Sequence, residues 1–148
     1  LTCDNLALAA SRAMLSLQFQ CAAAIYERIK ALDLELSELD REAFELGEEI
    51  SEMMVAANLT DADVARLADL AGEVMRSHRV TRDDTSGISM YDGDDGLPCL
   101  CSSVHLAVSY EEASDMNFEL AELVANATPS LSPNRYIIRF VGRDEHNA

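Results

Sequence analysis

The sequence predicts an α+β protein in which an N-terminal bundle of about three helices precedes a small β-α-β unit with a two- or three-stranded sheet. Apolar residues recur at helical spacing through residues 1–80, whereas residues 103–148 show strand, helix and strand patterns in that order. Aromatic residues make up only 5% of the chain and tryptophan is absent, so aliphatic side chains must build the core. Such a composition favours the packing of helices.

The helices of the predicted bundle, residues 1–80, follow from apolar spacing and from start signals. The first helix covers residues 4–32, where apolar side chains line one face. The second covers residues 37–57, because Ser37 and Asp40 form a weak capping box at its start. A clearer capping box begins the third helix, over residues 60–78.

A single helix from Asp4 to Ala57 is the alternative for the first half of the chain, because the apolar phase continues through the proposed break. Such a helix would be about 80 Å long and would need a coiled-coil partner, for example a second copy in a homodimer. A parallel homodimer would set Glu35 against Asp40 of the other chain. This repulsive pairing favours the three-helix prediction.

The second half of the chain is predicted to contain a linker and the β-α-β unit. Residues 81–102 form an acidic loop rich in Gly and Asp, interrupted by a short strand at 88–91. The unit at 103–148 then has a strand over 103–110, a helix over 111–126 and a strand over 136–141. Because two or three strands are not stable alone, we expect this unit to pack on the helices as one compact domain.

The formal net charge of −16 restricts the kind of partner. Residues 1–80 carry 15 acids against 7 bases and residues 81–148 carry 12 against 4, so each part has a formal charge of −8. Nucleic acids and anionic membranes are themselves negatively charged, which opposes direct binding to either. The charge suits a basic protein partner, although an acidic surface is also ordinary in a high-salt proteome.

The most informative feature is a row of glutamates in the second predicted helix. Steps of four, three, four and three residues place them on one helix face. This glutamate row consists of Glu38, Glu42, Glu45, Glu49 and Glu52. An apolar series runs beside it in the same rhythm and is expected to pack against the bundle: Leu39, Ala43, Leu46, Ile50 and Met53. Like charges at these spacings destabilise a helix by roughly 0.2–0.5 kcal/mol per pair, so the row requires an explanation.

These features predict a non-enzymatic acidic binding protein that blocks a basic, nucleic-acid-handling partner by presenting carboxylates in place of phosphates. Phage or plasmid inhibitors of restriction and CRISPR systems, and immunity-type inhibitors of basic nucleases, are the functional classes of this kind. The glutamate row would make the main contacts, with Asp92, Asp94 and Asp95 as secondary ones. The alternative is a helical dimeric adaptor or structural protein whose acidity serves only solubility.

A second alternative is a small metal-binding protein or enzyme that uses Cys99, Cys101 and His105. Cys-x-Cys is not the usual zinc spacing and no fourth ligand lies nearby in sequence, so no metal or other cofactor is expected. The acidic loop from Asp92 also fails the calcium-loop pattern, because Ser103 stands where that pattern requires a glutamate.

The sequence shows no assembled catalytic signature, such as Gly-x-Ser-x-Gly or a glycine-rich phosphate loop, and we predict no catalytic residue. The four cysteines lack the dense spacing of a disulfide framework. The first residues do not show the pattern of a signal peptide, and no segment has the length and apolar character of a membrane span. We therefore expect a cytoplasmic protein with reduced cysteines.

Overall fold

The computed structural model describes residues 3–83, 87–92, 96, 98–127 and 136–143. Its helices and strands, in chain order, are α1 (Cys3–Leu15), α2 (Phe19–Ala31), α3 (Glu38–Ala56), α4 (Asp61–Ser77), β1 (Gly87–Asp92), β2 (Pro98–His105), α5 (Tyr110–Ala127) and β3 (Tyr136–Val141). This order confirms the α+β prediction. The chain divides into two units, Leu1–Ala65 and Arg66–Ala148, and α4 continues from the first unit into the second.

Four helices rather than about three precede the sheet, because the helix predicted over residues 4–32 is in fact α1 and α2. The break is at Leu17, whose φ of 59° lies in the left-handed region that ends an α-helix. The amide of Gln18 donates to the carbonyl of Ala13 at 2.8 Å, which closes the last turn of α1. The alternative of a single helix from Asp4 to Ala57 is therefore wrong.

The first four helices all end with the same backbone motif. Two residues after each helix a residue has positive φ, and two backbone hydrogen bonds return to the last turn. The positive-φ residues are Leu17, Asp33, Asn58 and Arg79. None is a glycine. The left-handed conformation costs about 1–2 kcal/mol at Leu17 and Arg79, whereas Asp33 and Asn58 are of the types that adopt it more readily. After the last three, the next residue is apolar and buried or packed on a core cluster, which offsets this cost: Leu34, Leu59 and Val80.

The start signals predicted for α3 and α4 form the expected hydrogen bonds. The Ser37 hydroxyl accepts the amide of Asp40 at 3.1 Å. At the start of α4, the Thr60 hydroxyl accepts the amide of Asp63 at 3.2 Å, and the Asp63 carboxylate accepts the amide of Thr60 at 2.9 Å. Both helices consequently begin where their capping boxes predict.

The start of α2 is capped by a residue that is distant in sequence. Gln18, the residue before α2, makes no side-chain cap. Instead the Asp61 carboxylate accepts the amides of Gln20 and Cys21, each at 3.0 Å. The Gln20 side chain in turn donates to the Leu59 carbonyl at 3.1 Å and accepts the amide of Asp61 at 3.3 Å. This reciprocal set of hydrogen bonds joins the start of α2 to the start of α4.

The core of the first unit lies between α1, α2 and α3. Its buried cluster consists of Leu6, Ala10, Tyr26, Ile29 and Phe44. The rings of Tyr26 and Phe44 lie 5.5 Å apart between centroids, a distance at which aromatic rings attract each other. Gly47 lowers the helix propensity of α3 by about 1 kcal/mol, yet it makes room for α1. A Cβ at Gly47 would lie 2.7 Å from the Sδ of Met14.

The second unit contains the sheet, whose strands lie in the order β1-β2-β3. β1 is antiparallel to β2, while β3 is parallel to β2. Because α5 joins the two parallel strands, the predicted β-α-β unit is present as β2-α5-β3. The buried cluster of this unit draws residues from α4, α5, β3 and the segment after β2: Ala71, Val74, Leu106, Ala113, Met116, Leu120 and Phe140.

The strands of the second unit differ from the prediction in both bounds of β2, which ends at His105 rather than at Tyr110. The segment 81–102, predicted as a linker loop with a short strand at 88–91, contains that strand as β1 and also the first five residues of β2. β2 begins at Pro98 rather than at Ser103, because its first residues pair with β1. The bounds of α5 lie within one residue of the predicted 111–126, and β3 has the predicted bounds.

Two contacts fix β3 and the residue after it. A Cβ at Gly142 would overlap the carbonyl oxygen of Ser109, so a glycine is required for this close approach. The side-chain amide of Asn117, on α5, accepts the amide of Phe140 at 2.8 Å and donates to its carbonyl at 2.9 Å. The carbonyl of Val141 accepts the amide of Leu106, the residue after β2. Because successive residues of a strand face opposite sides, the amide and carbonyl of Phe140 face the outer edge of β3. Asn117 therefore occupies that edge at Phe140.

Candidate protein-binding surface on α3

The glutamate row lies on the solvent side of α3. All five of its glutamates are exposed, whereas the buried residues of the helix are Phe44, Gly47, Ile50, Met53 and Met54. At about 100° per residue, the centre of the row is about 180° around the helix axis from Gly47. From Glu38 to Glu52 the row extends about 21 Å at 1.5 Å per residue. It is thus a continuous line of carboxylates along the outside of the first unit.

The glutamate row has no neutralising partner within the described part of the chain. No lysine, arginine or histidine side chain there forms an ion pair with any of the five. Arg41, the single base of α3, is exposed and also forms none. The carboxylates of the row are therefore open to a partner.

Glu48, another glutamate of α3, differs from the glutamate row because it forms an ion pair. The ammonium group of Lys30, on α2, bonds Glu48 at 2.7 Å and also binds Glu27. It lies 4.7 Å from the centre of the Tyr26 ring. Hydrogen bonds to Glu27 and Glu48 raise the pKa of Lys30, so this lysine stays charged. Glu48 thus fastens α3 to α2, whereas the row beside it does not.

The apolar series beside the glutamate row is only half buried, contrary to the prediction. Ile50 and Met53 are buried, but Leu39 and Leu46 are 77% and 43% exposed, and Ala43 is exposed as well. Around the helix axis Met53 lies nearer to the glutamate row than Ala43 does, yet Met53 is buried, so the difference lies along α3: the first part of the apolar series is exposed and the last part is buried. Leu39, Ala43 and Leu46 form an exposed apolar strip next to the glutamate row.

The secondary contacts predicted in the acidic loop lie outside the described residues. Asp94 and Asp95 are not among them, and of Asp92 only the backbone at the end of β1 is described. The residues of the metal alternative are on β2. Cys99 and Cys101 are buried, and His105 is half-buried. In the part of the chain that the structure describes, no three His, Cys, Asp or Glu side chains are placed to hold a metal ion.

The structure also shows ion pairs in the second unit that are not predicted from the sequence. His78 follows α4, and its Nε2 lies 2.9 Å from Glu119 while its Nδ1 lies 3.6 Å from Glu112. The hydrogen bond to Glu119 raises the pKa of His78 above its ordinary value of 6.5. Arg143 pairs with Asp83. These partners are 34 to 60 residues apart, so no local pattern in the sequence indicates them.

Comparison with protein families, with curated proteins and with solved structures found no match to this chain. Within the described residues, no helix combines the length and the apolar character that crossing a membrane requires.

Proposed function

We propose that this chain is a non-enzymatic acidic binding protein that occupies the basic surface of a nucleic-acid-handling protein. The observation that carries the proposal is the glutamate row, which is aligned, exposed and without an ion pair in the described part of the chain. A row stepping 3.5 residues places a carboxylate about every 5 Å, a density similar to that of one DNA strand, which carries a phosphate about every 3.4 Å. A surface that binds phosphates would attract such a row.

The energetics of α3 support the same proposal. Glutamates three and four residues apart destabilise their own helix by roughly 0.2–0.5 kcal/mol per pair. Solubility alone requires acids on the surface but not their alignment, since scattered or lysine-interspersed acids avoid this cost. A basic partner would convert the repulsion within the row into attraction across an interface. The proposal places the protein in the cytoplasm, where nucleic-acid-handling proteins of a prokaryotic cell act.

The test compares two triple variants of equal charge. Glu42, Glu45 and Glu49 are changed to Lys in one variant. In the control, the exposed α5 residues Glu111, Asp115 and Glu122 are changed to Lys. Each variant replaces three acids by three bases and shifts the formal charge from −16 to −10.

The immobilised wild type and both variants are used to capture proteins from a lysate of the source organism at about 0.1 M and about 1 M salt. We expect the wild type and the α5 control to capture a basic nucleic-acid-binding protein at low salt, and the α3 variant to lose it. Soluble wild-type protein should then displace nucleic acid from the purified partner in a gel-shift assay. Equal capture by the two variants, or a captured partner that still binds nucleic acid in the presence of the wild type, would contradict the proposal.

The adaptor alternative predicts a different result in the same experiment. A helical adaptor whose acidity serves only solubility would bind its partner through apolar contacts, which salt does not screen. Both triple variants would then capture the same proteins as the wild type at both salt concentrations.

A further inference from the structure

The exposed apolar strip and the glutamate row together form two adjacent holes of the kind that receive a side chain when helices pack. In helix packing, one side chain of a helix inserts into a hole made by residues i, i+3, i+4 and i+7 of the facing helix. Leu39, Glu42, Ala43 and Leu46 stand in that relation on α3. All four are exposed, and the small side chain of Ala43 leaves room in the hole for an incoming side chain.

The next hole along α3 has a different character. It is made by Glu42, Glu45, Leu46 and Glu49, which again stand at i, i+3, i+4 and i+7. Three of its four side chains are carboxylates without an ion pair in the described part of the chain. An apolar side chain would suit the first hole, and a lysine or arginine would suit the second.

We infer that α3 binds a basic amphipathic α-helix of its partner, with an apolar side chain seated between Leu39 and Leu46 and basic side chains along the glutamate row. The inference rests on the proposed function and names the partner element. An exposed helix that offers both apolar anchors and aligned carboxylates is complementary to a helix with an apolar ridge and one basic flank. Helices of this kind enter the major groove in many DNA-binding proteins.

A second copy of this chain is a poorer occupant of the same surface. α3 carries seven acids against one base, so an α3 helix from another copy would set carboxylates against carboxylates. Nucleic-acid-binding loops without apolar anchors are also poorer occupants, because they would leave Leu39 and Leu46 in water.

The test uses two synthetic peptide probes of equal charge and of about 20 residues, long enough to form a helix on binding. The first repeats Leu at three- and four-residue spacing with Lys on one flank. The second has every Leu replaced by Ala, which preserves helix propensity and charge but removes the apolar ridge. Dissociation constants are measured by fluorescence anisotropy at about 0.1 M and about 1 M salt.

Two double variants separate the apolar strip from other exposed leucines. Leu39→Gln with Leu46→Gln removes the strip. Leu8→Gln with Leu15→Gln is the matched control, since these residues are also seven apart on one helix and are 53% and 79% exposed. The wild type and the control should bind the Leu peptide about tenfold more tightly than the Ala peptide, and the strip variant should bind both alike. At the higher salt concentration, only the Leu peptide should retain measurable binding to the wild type.

The outcomes distinguish failure of this inference from failure of the proposed function. If both peptides bind the wild type equally, and the triple Lys variant of α3 binds neither, the inference is overturned while the proposed function stands. If the strip variant keeps the tenfold difference, the leucines bind elsewhere and the inference is likewise overturned. Light scattering that shows a wild-type dimer and a monomeric strip variant would assign the strip to a second copy and overturn the inference too. Binding of neither peptide to the wild type would count against both.

Discussion

The two units of this protein carry similar negative charge but use it differently. The first unit has thirteen acids against four bases, a formal charge of −9, and the second has fourteen against seven, a formal charge of −7. In the second unit, described acids pair with bases across its elements, as Glu112 and Glu119 do with His78 and Asp83 does with Arg143. In the first unit, the five glutamates of the row have no such partner in the described part.

The comparison indicates which acids stabilise the fold and which are available to a partner. An acid that accepts the amides of a helix start, as Asp61 does for α2, contributes to folding and is constrained by it. The glutamates of the row make no such contact, and their mutual repulsion opposes folding. The acids of this chain are therefore of two kinds: those that stabilise the fold and those of the glutamate row, which oppose folding. Mutations of the two kinds of acid should have opposite effects on stability.

The largest effect is expected at Asp61, which belongs to the stabilising kind. Asp61→Ala removes the carboxylate that accepts two amides at the start of α2, a position that no residue of α2 itself caps. The free energy of unfolding, measured by urea denaturation, should fall by about 1–2 kcal/mol. Asp69→Ala is the control, because Asp69 is an exposed acid of the same helix and should change stability by less than about 0.5 kcal/mol. Equal losses in the two variants would show that Asp61 acts only through its charge.

A smaller effect of opposite sign is expected for the glutamate row. Changing Glu42, Glu45 and Glu49 to Gln removes at least one charge from every neighbouring pair of the row. The free energy of unfolding should rise by roughly 1 kcal/mol at low salt, and the gain should shrink at about 1 M salt because screening weakens the repulsion in the wild type. A loss of stability in this variant would mean that the row makes structural contacts, and the distinction between the two kinds of acid would fail.

The smallest effect is expected for the pairing of His78 with Glu119 and Glu112. The pKa of His78 is raised in the folded protein, so its protonated form is stabilised by folding. This contribution is fully present below 6.5, the ordinary pKa, and is lost as the pH rises through the higher pKa of the folded state. The wild type should therefore lose more stability between about pH 5.5 and about pH 8 than His78→Gln, as measured by urea denaturation. Parallel pH profiles would show that these pairs do not affect folding.

In this chain the predicted helix starts and ends lie within one residue of those observed, but the break between α1 and α2 is not predicted. Ser37 caps α3 through a contact three residues away, so the start is visible in a short segment of sequence. The helix ends depend on positive φ at residues other than glycine, and Leu17 is the clearest case. A leucine is a good helix former, so the residue type at this position does not indicate the break. The sequence consequently predicts one helix where the structure has α1 and α2, although the total extent of the helices is nearly right.

For the candidate surface on α3, the sequence likewise predicts local features but not those that depend on packing. The spacing of the glutamate row is a local property, and its common exposure follows from the low cost of leaving carboxylates in water. Which apolar residues of α3 are buried is not predictable in this way, because it depends on which part of the helix the rest of the bundle covers. The close approach of Met14, on α1, to Gly47 is one such contact, and it forms only in the folded bundle.

The position of Asn117 has a consequence for how the protein behaves at high concentration. A sheet whose last strand offers unpaired peptide groups invites strands from neighbouring molecules, and this is a route to fibrous aggregates. At Phe140 those groups already bond one side-chain amide, which imitates the peptide group that an incoming strand would bring. An intruding strand would have to displace this amide before it could bond at Phe140, so Asn117 of α5 hinders the addition of a strand at that position.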